Sequence, residues 1–532
     1  MTHIIIRTAF ALAIALVPIS ASADEPTGTP PEKFGAVAFA NSCAPAVQTS
    51  FQRAVALLHS FWWEEGRKTF RKVLEQDPSC AIVAWGIAAV DIGNPFAVGP
   101  TPAQVKEAKD AIAEGRAIGA KTERERGYID AIAAYYEGYP DQPHRARLKA
   151  LADAFAALAS RFPDDDETQI FSALYLTSTQ LPTDKTYATT LKAAGILEQQ
   201  FAKHPDHPGV AHYLIHAYDY AAIADKGAAA ALCYADIAPS APHALHMPSH
   251  IFTRVGAWQE SVATNLRSAA LAESEHEVGS QLHAMDYMAY ADLQLARDAD
   301  AVRVVETLGG IAAQPANNEA ARYAVAAVPA RYVVERGAWA EAKQLQPSAN
   351  PAFKYTTAMT YFARALGEAR SGDTSAAEAD VAELAQIVAA LKAAKSDYWA
   401  TEVEVERLGG AAWIAFAKGE RDAALKLMRE AADMENASDK SAVTPGRLLP
   451  ARELLGDMLL ESGRPAEALA EYETSLTLDP KRFRSLYGAG RAAAEAGNRD
   501  KAQLYYGRLT EMVGTAAARP ELDKARAYLA SK

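Results

Sequence analysis

The chain has almost no strand-like runs of Val, Ile and Thr, although half of its 532 residues are hydrophobic. Alanine dominates instead, and this is a helix-forming composition that points to an all-α fold. An excess of basic charge is also missing. The formal net charge is −12, and it becomes one unit more negative once the segment carrying Arg7 is removed. Phosphate binding needs a basic face, so nucleic acid is not expected as a partner. No stretch beyond the N-terminus reaches the roughly 20 apolar residues of a membrane span. Cysteine is sparse: Cys43, Cys80 and Cys233. They form no CxxC pair. There is no EF-hand spacing, no HExxH, no Gly-rich phosphate loop, no GxSxG elbow and no Cys/His nucleophile pair. Common hydrolase, zincin and nucleotide-binding chemistries are thereby excluded.

What is present begins with MTHIIIRTAFALAIALVPISASADEP. Arg7 supplies a short positive region, an apolar run follows from Ala9 to Ile19, and Ala21-Ser22-Ala23 is a small-x-small cleavage signature. This predicts a secretory signal peptide over 1–23, cut after Ala23. The expected location is periplasmic or secreted. Residues 24–46 form an N-terminal extension. Export to an oxidising compartment favours disulfides. Cys43 precedes the first expected helix and Cys80 follows its hairpin partner, so the two ends meet on one side and Cys43–Cys80 is the expected bridge. The alternative is three small buried residues.

Internal repetition is the strongest pattern. Gly456, Gly463, Ala468 and Tyr472 recur as Gly490, Gly497, Ala502 and Tyr506, every offset being 34. This resembles the tetratricopeptide repeat (TPR), a helix-turn-helix with small residues at positions 8 and 20, an aromatic at 24 and proline at 32. Pro480 occupies position 32. The same anchors place repeats near 47, 323, 358 and 405, with irregular stretches between about 93 and 207. The expected architecture is an all-α solenoid of roughly ten hairpins. Its parts are an irregular array over 47–345, middle hairpins over 346–435, and regular repeats over 436–532. Within the last part, 436–448 is read as a loop between repeats.

The register gives meaning to the histidines. Nine of the twelve fall between 204 and 283. With Pro239 at position 32, the next repeat starts at 242. His243, His246 and His250 then occupy positions 2, 5 and 9. His212 and His216 occupy positions 5 and 9 one repeat earlier, each 34 residues back. With Ala301 at position 20, His283, Asp286 and Tyr290 fall at positions 2, 5 and 9 of the following repeat. In the TPR family these first-helix positions face the concave groove, so the resemblance implies a ligand-facing location. Asp219, Tyr220 and Arg254 extend the polar patch. His59, at position 13 of the first repeat, is a further groove candidate.

Side chains at i and i+4 on a helix are about 5–6 Å apart at Cβ, and neutral imidazole is the commonest metal ligand near neutral pH. His212, His216, His243, His246, His250, His283 and Asp286 are therefore candidate ligands. Histidines with an acid and open positions suit Zn, Cu or Fe, and the sequence does not choose among them. Two other readings stay open: HxxxH pairs retained by duplication for stacking, and a groove that binds an acidic peptide. Met247, Met285 and Met288 read as core fillers. Ser249, next to His250, points away from it.

The stretches LLHSFWWEEGRKTFRKVLEQDPSCAIVAWGIA, TERERGYIDA, DHPGVAHYLIHAYDY, APHALHMPSHIFTRVGAW and LHAMDYMAYADLQLARD resemble a group of bacterial exported TPR proteins. The resemblance covers about 50–300. It implies the fold and marks the histidines but supplies no reaction. Ala97 departs from it, in a loop expected to be more polar or aromatic. Three functions follow as expectations. The first is a solenoid that binds a protein, peptide or other ligand in its groove through a metal-containing patch. The second is a metal-dependent enzyme, with Asp286, Tyr290 or His243 as acid/base groups. The third is a metal-free assembly scaffold.

Overall fold

A computed structural model describes residues 32–314, 318–347, 353–515 and 519–531. The expected signal peptide lies outside these residues. Among them are twenty-six α-helices packed in series and no strand, as expected for a TPR-type solenoid.

The regular end shows why the sequence folds this way. Helices Ala451–Glu461 and Pro465–Leu478 form one hairpin, and Phe483–Glu495 and Arg499–Val513 form the next. Gly463 and Gly497 follow the first helix of each at φ 71° and 76°, the left-handed conformation glycine tolerates best. Gly456 and Gly490 are small for a different reason. A Cβ at Gly456 would lie 2.7 Å from the Tyr472 ring, and one at Gly490 would lie 2.6 Å from the Tyr506 ring. The aromatic at position 24 fills the space that position 8 leaves empty.

The described part of the N-terminal extension is irregular but tied down. Phe39 is buried and stacks on Trp85 at 4.9 Å. The Gln52 amide bonds both main-chain groups of Phe39. Cys43 and Cys80 are joined in a disulfide, leaving Cys233 free.

Repeat arrays usually contact only their neighbours. Here the C-terminal repeats also reach back along the chain. Arg482 donates to Tyr290 Oη at 2.9 Å, the Phe483 amide donates to Gln294 Oε1, and the Trp258 indole donates to the Lys481 carbonyl. Fully buried Arg482 also pairs with Glu335 at 2.8 Å and Glu453 at 3.0 Å.

The stretch read as a loop between repeats is more than a linker. Residues 437–450 contain no helix, yet they run over the face formed by the first helices of successive hairpins. Lys440 pairs with Asp219, Ser441 N donates to Tyr398 Oη, and Arg331 donates to the Gly446 and Arg447 carbonyls. Long structureless connections in a packed array are uncommon and are often functional. This one reaches the histidines, with Val443 lining the same cleft as His243, His246 and His283.

Candidate metal centre

Helices Pro208–Tyr218, Pro242–His246, Pro248–Val255 and Val278–Gln294 carry the histidines. Pro248 has no amide hydrogen and divides its helix in two. Met247 stays in the right-handed helical region, so the spiral continues through the break. His246 and His250 remain on one face, with ring centroids 5.0 Å apart.

Six imidazoles converge in two sets. One nitrogen from each of His212, His216 and His243 lies within 4.8 Å of the others, and His246, His250 and His283 form a second such set. His212 Nε2 is 3.2 Å from His243 Nε2, and His246 Nε2 is 3.0 Å from His250 Nε2. His212, His216, His246 and His250 are buried, and His243 and His283 are half-buried.

The opposite ring nitrogens fix the protons. His212 Nδ1 lies 2.6 Å from the His59 carbonyl, which can only accept, so Nδ1 carries the hydrogen. His250 Nδ1 lies 3.0 Å from Asp219 Oδ2. His246 Nδ1 lies 2.7 Å from Asn265 Oδ1, and Asn265 Nδ2 donates to the Ser261 carbonyl, which orients the amide. Three Nε2 lone pairs are thereby aimed inward. Orienting acceptors of this kind set the tautomer of metal-binding histidines.

Electrostatics keeps the rings neutral. Burial, reinforced by neighbouring imidazoles, drives His212, His216, His243, His246 and His283 well below the ordinary histidine range. Burial lowers His250 too, although Asp219 opposes it. Burial would raise the Asp219 carboxyl, but Lys440, Arg254 and His250 outweigh it and hold Asp219 far below the usual range. Arg254 Nε donates to Asp219 Oδ1 at 2.8 Å. Neither nitrogen of His216 has a hydrogen-bond partner, nor does His283 Nδ1.

The other sequence candidates take different places. Asp286 faces Arg331 Nε at 3.5 Å and does not join the converging nitrogens. Burial raises its carboxyl to about 6, against the pull of Arg331. Tyr290 bonds Arg482, and Tyr220 packs on Tyr187. The His59 side chain bonds Tyr213 Oη at 2.9 Å and Glu167 at 3.0 Å. His207 takes the other Glu167 oxygen and caps its helix at Val210 N. Every nitrogen of that His59–Glu167–His207 group is used internally. Its contribution to the centre is the His59 carbonyl.

Four contributors were not anticipated. Phe96 stacks on His216 at 4.1 Å, and Phe61 meets His212 edge-on at 4.3 Å. Tyr287 sits 4.6 Å from His246 and 5.0 Å from His250. Asn265 orients His246. It occupies position 24 of its repeat, where the regular repeats carry Tyr472 and Tyr506, and that departure was visible in the sequence. A cleft reaches the cluster and is lined by His243, His246 and His283 together with Phe61, Trp63 and Glu319.

Comparison with known proteins bears on the scaffold. The tetratricopeptide repeat family model matches residues 449–482. No curated protein sequence matches the chain. A tetratricopeptide repeat protein from Parabacteroides merdae aligns at 13% identity over 55% of this chain and 98% of its own, with a TM-score of 0.29. The human IFIT1 dimer with m7Gppp-AAAA aligns at 13% identity over 82% of this chain and 90% of its own, with a TM-score of 0.38. Among the described residues no helix is long and apolar enough to cross a membrane.

Proposed function

We propose that this chain is an exported helical-repeat protein that binds a transition metal through the histidines of its inner face. One observation carries the reading. His246 and His250 both have Nδ1 bound to an acceptor, so their Nε2 lone pairs face each other 3.0 Å apart with no proton between them. Two bare lone pairs at that distance repel unless an electrophile sits beside both. Ligand nitrogens 2.0–2.1 Å from one ion, at 90° to 109° to each other, are separated by about 2.9–3.4 Å. The donor set is neutral imidazole backed by Asp219, Asn265 and a main-chain carbonyl, which suits Zn, Cu or Fe.

The leader-like N-terminus and the Cys43–Cys80 bridge support a periplasmic or secreted location. Binding a protein partner on the extended concave surface is the usual use of a repeat scaffold. Val443, from the segment 437–450, lines the cleft at the histidines, and Lys440 of the same segment bonds Asp219 behind them, which favours a small ligand over a peptide there.

A second reading, a metal-dependent enzyme, is favoured by the cleft. Three of the six histidines line it, and metal sites that react keep a position open to solvent or substrate.

The test is elemental analysis of purified residues 24–532 beside a His246→Ala/His250→Ala variant. The proposal expects a transition metal in the first and little in the second. Equal, near-zero metal in both would overturn it.

A further inference from the structure

The two histidine sets repeat one design. In each, positions 5 and 9 of one first helix supply an i,i+4 pair, and position 2 of the next first helix supplies the third imidazole. His212 and His216 are completed by His243, and His246 and His250 by His283. The pairs are 34 residues apart, the length of one repeat, and the completing histidines are 40 apart. The same geometry has therefore been built twice by stacking the same unit. It then stops. The next positions 5 and 9 are Asp286, which faces Arg331, and Tyr290, which bonds Arg482.

From this duplication, together with the unpartnered nitrogens of His216 and His283, we infer that the cluster holds two metal ions, one per histidine triplet, close enough to share a small oxygen-donor ligand. This rests on the metal-binding reading above.

Chemistry and spacing support two ions over one. A transition ion such as zinc takes four ligands and does not use six imidazoles. Three protein nitrogens per ion leave a position free on each. The triplets also adjoin: His216 and His250, from different sets, have ring centroids 5.7 Å apart, and His243 and His246 have theirs 5.8 Å apart. His243 from one triplet, and His246 and His283 from the other, line the same cleft. Each triplet thus has at least one ligand on the same solvent-connected space. Paired ions that clamp one oxygen ligand are a recurring arrangement, with separations of about 3.5–4 Å. The ligand class that fits is a small anion or water-derived group: hydroxide, carboxylate or phosphate oxygen.

The experiment titrates metal-free residues 24–532 with Zn(II) and, separately, Cu(II), and reads bound metal per chain. His216→Ala and His283→Ala are the informative variants. Each removes one ligand, from a different triplet. His216 makes no hydrogen bond to lose, and thermal melting of the metal-free variants checks that they fold. About two ions are expected in the parent, about one in each single variant and almost none in the double variant. The EPR signal of the copper-loaded parent should integrate to well below its copper content, because a bridged pair couples. One ion in the parent that either variant abolishes would overturn the inference while leaving the metal-binding reading intact. Two ions whose EPR signal matches the copper content would overturn the shared ligand. No metal at all would overturn both readings together.

Discussion

Asn265 accepts from His246 Nδ1 at 2.7 Å, and this one bond decides which nitrogen His246 presents to its neighbours. Asn265→Leu removes the acceptor and leaves the tautomer unset. Metal affinity should fall about 10–100-fold, the usual effect of losing an orienting partner. Competition against a chromophoric chelator measures it. Unchanged affinity would mean that the amide is not what aims His246 Nε2.

Arg482 ties the C-terminal repeats to Tyr290 of the third histidine-bearing hairpin and to Glu335 of the next helix, Glu319–Glu335. It also pairs with Glu453 of the C-terminal repeats, and it has no exposed surface of its own. Arg482→Met leaves Glu335 buried without its cation and takes one of two arginines from Glu453, which keeps Arg484. Stability should drop by about 3–5 kcal/mol. Denaturant unfolding reports the loss, and limited proteolysis should cut between the C-terminal repeats and the rest sooner than in the parent.

Gly490 and Gly507 make a matched pair. A Cβ at Gly490 would strike the Tyr506 ring at 2.6 Å, whereas nothing lies within 4 Å of one at Gly507. Gly490→Ala should destabilise by about 1–3 kcal/mol through overpacking. Gly507→Ala, inside a helix, should stabilise by roughly 1 kcal/mol. Opposite signs in thermal melting are the expected outcome.

Asp292 is 2% exposed, and its Oδ1 has no hydrogen-bond partner. Burial, with Asp300 nearby, raises its carboxyl to about 7. A raised carboxyl binds its proton more tightly in the folded chain than in the unfolded one. Its contribution to stability therefore declines as pH rises from about 4 to about 7, then levels off. Asp292→Asn should be the more stable protein at pH 8 by about 1–3 kcal/mol, with the gap closing towards pH 4. Melting curves across that range test the sign.

Much of the scaffold was legible because the repeat is a packing rule written at fixed spacing. Gly456, Tyr472, Gly490 and Tyr506 announce the solenoid, and the same 34-residue step brings His212 and His216 into register with His246 and His250. What escaped was anything fixed by contacts between distant segments. Phe61 and Phe96 reach the cluster from more than a hundred residues upstream, and Lys440 arrives from a loop almost two hundred residues downstream. Asp286 shows the limit of register alone. It holds a groove position, but Arg331 on the next repeat's first helix claims its carboxylate. The Asn265 signal was present as a missing aromatic, and its meaning depends on which ring stands opposite.

The central claim is that the inward-facing Nε2 atoms are metal ligands. Anomalous diffraction at the absorption edge of the metal carried by crystals of residues 24–532 tests it most directly. The account predicts strong peaks about 2.0–2.1 Å from His Nε2 atoms, inside the cluster formed by His212, His216, His243, His246, His250 and His283. Anomalous density confined to the surface or the termini, with the six imidazoles in contact only with one another, would contradict it.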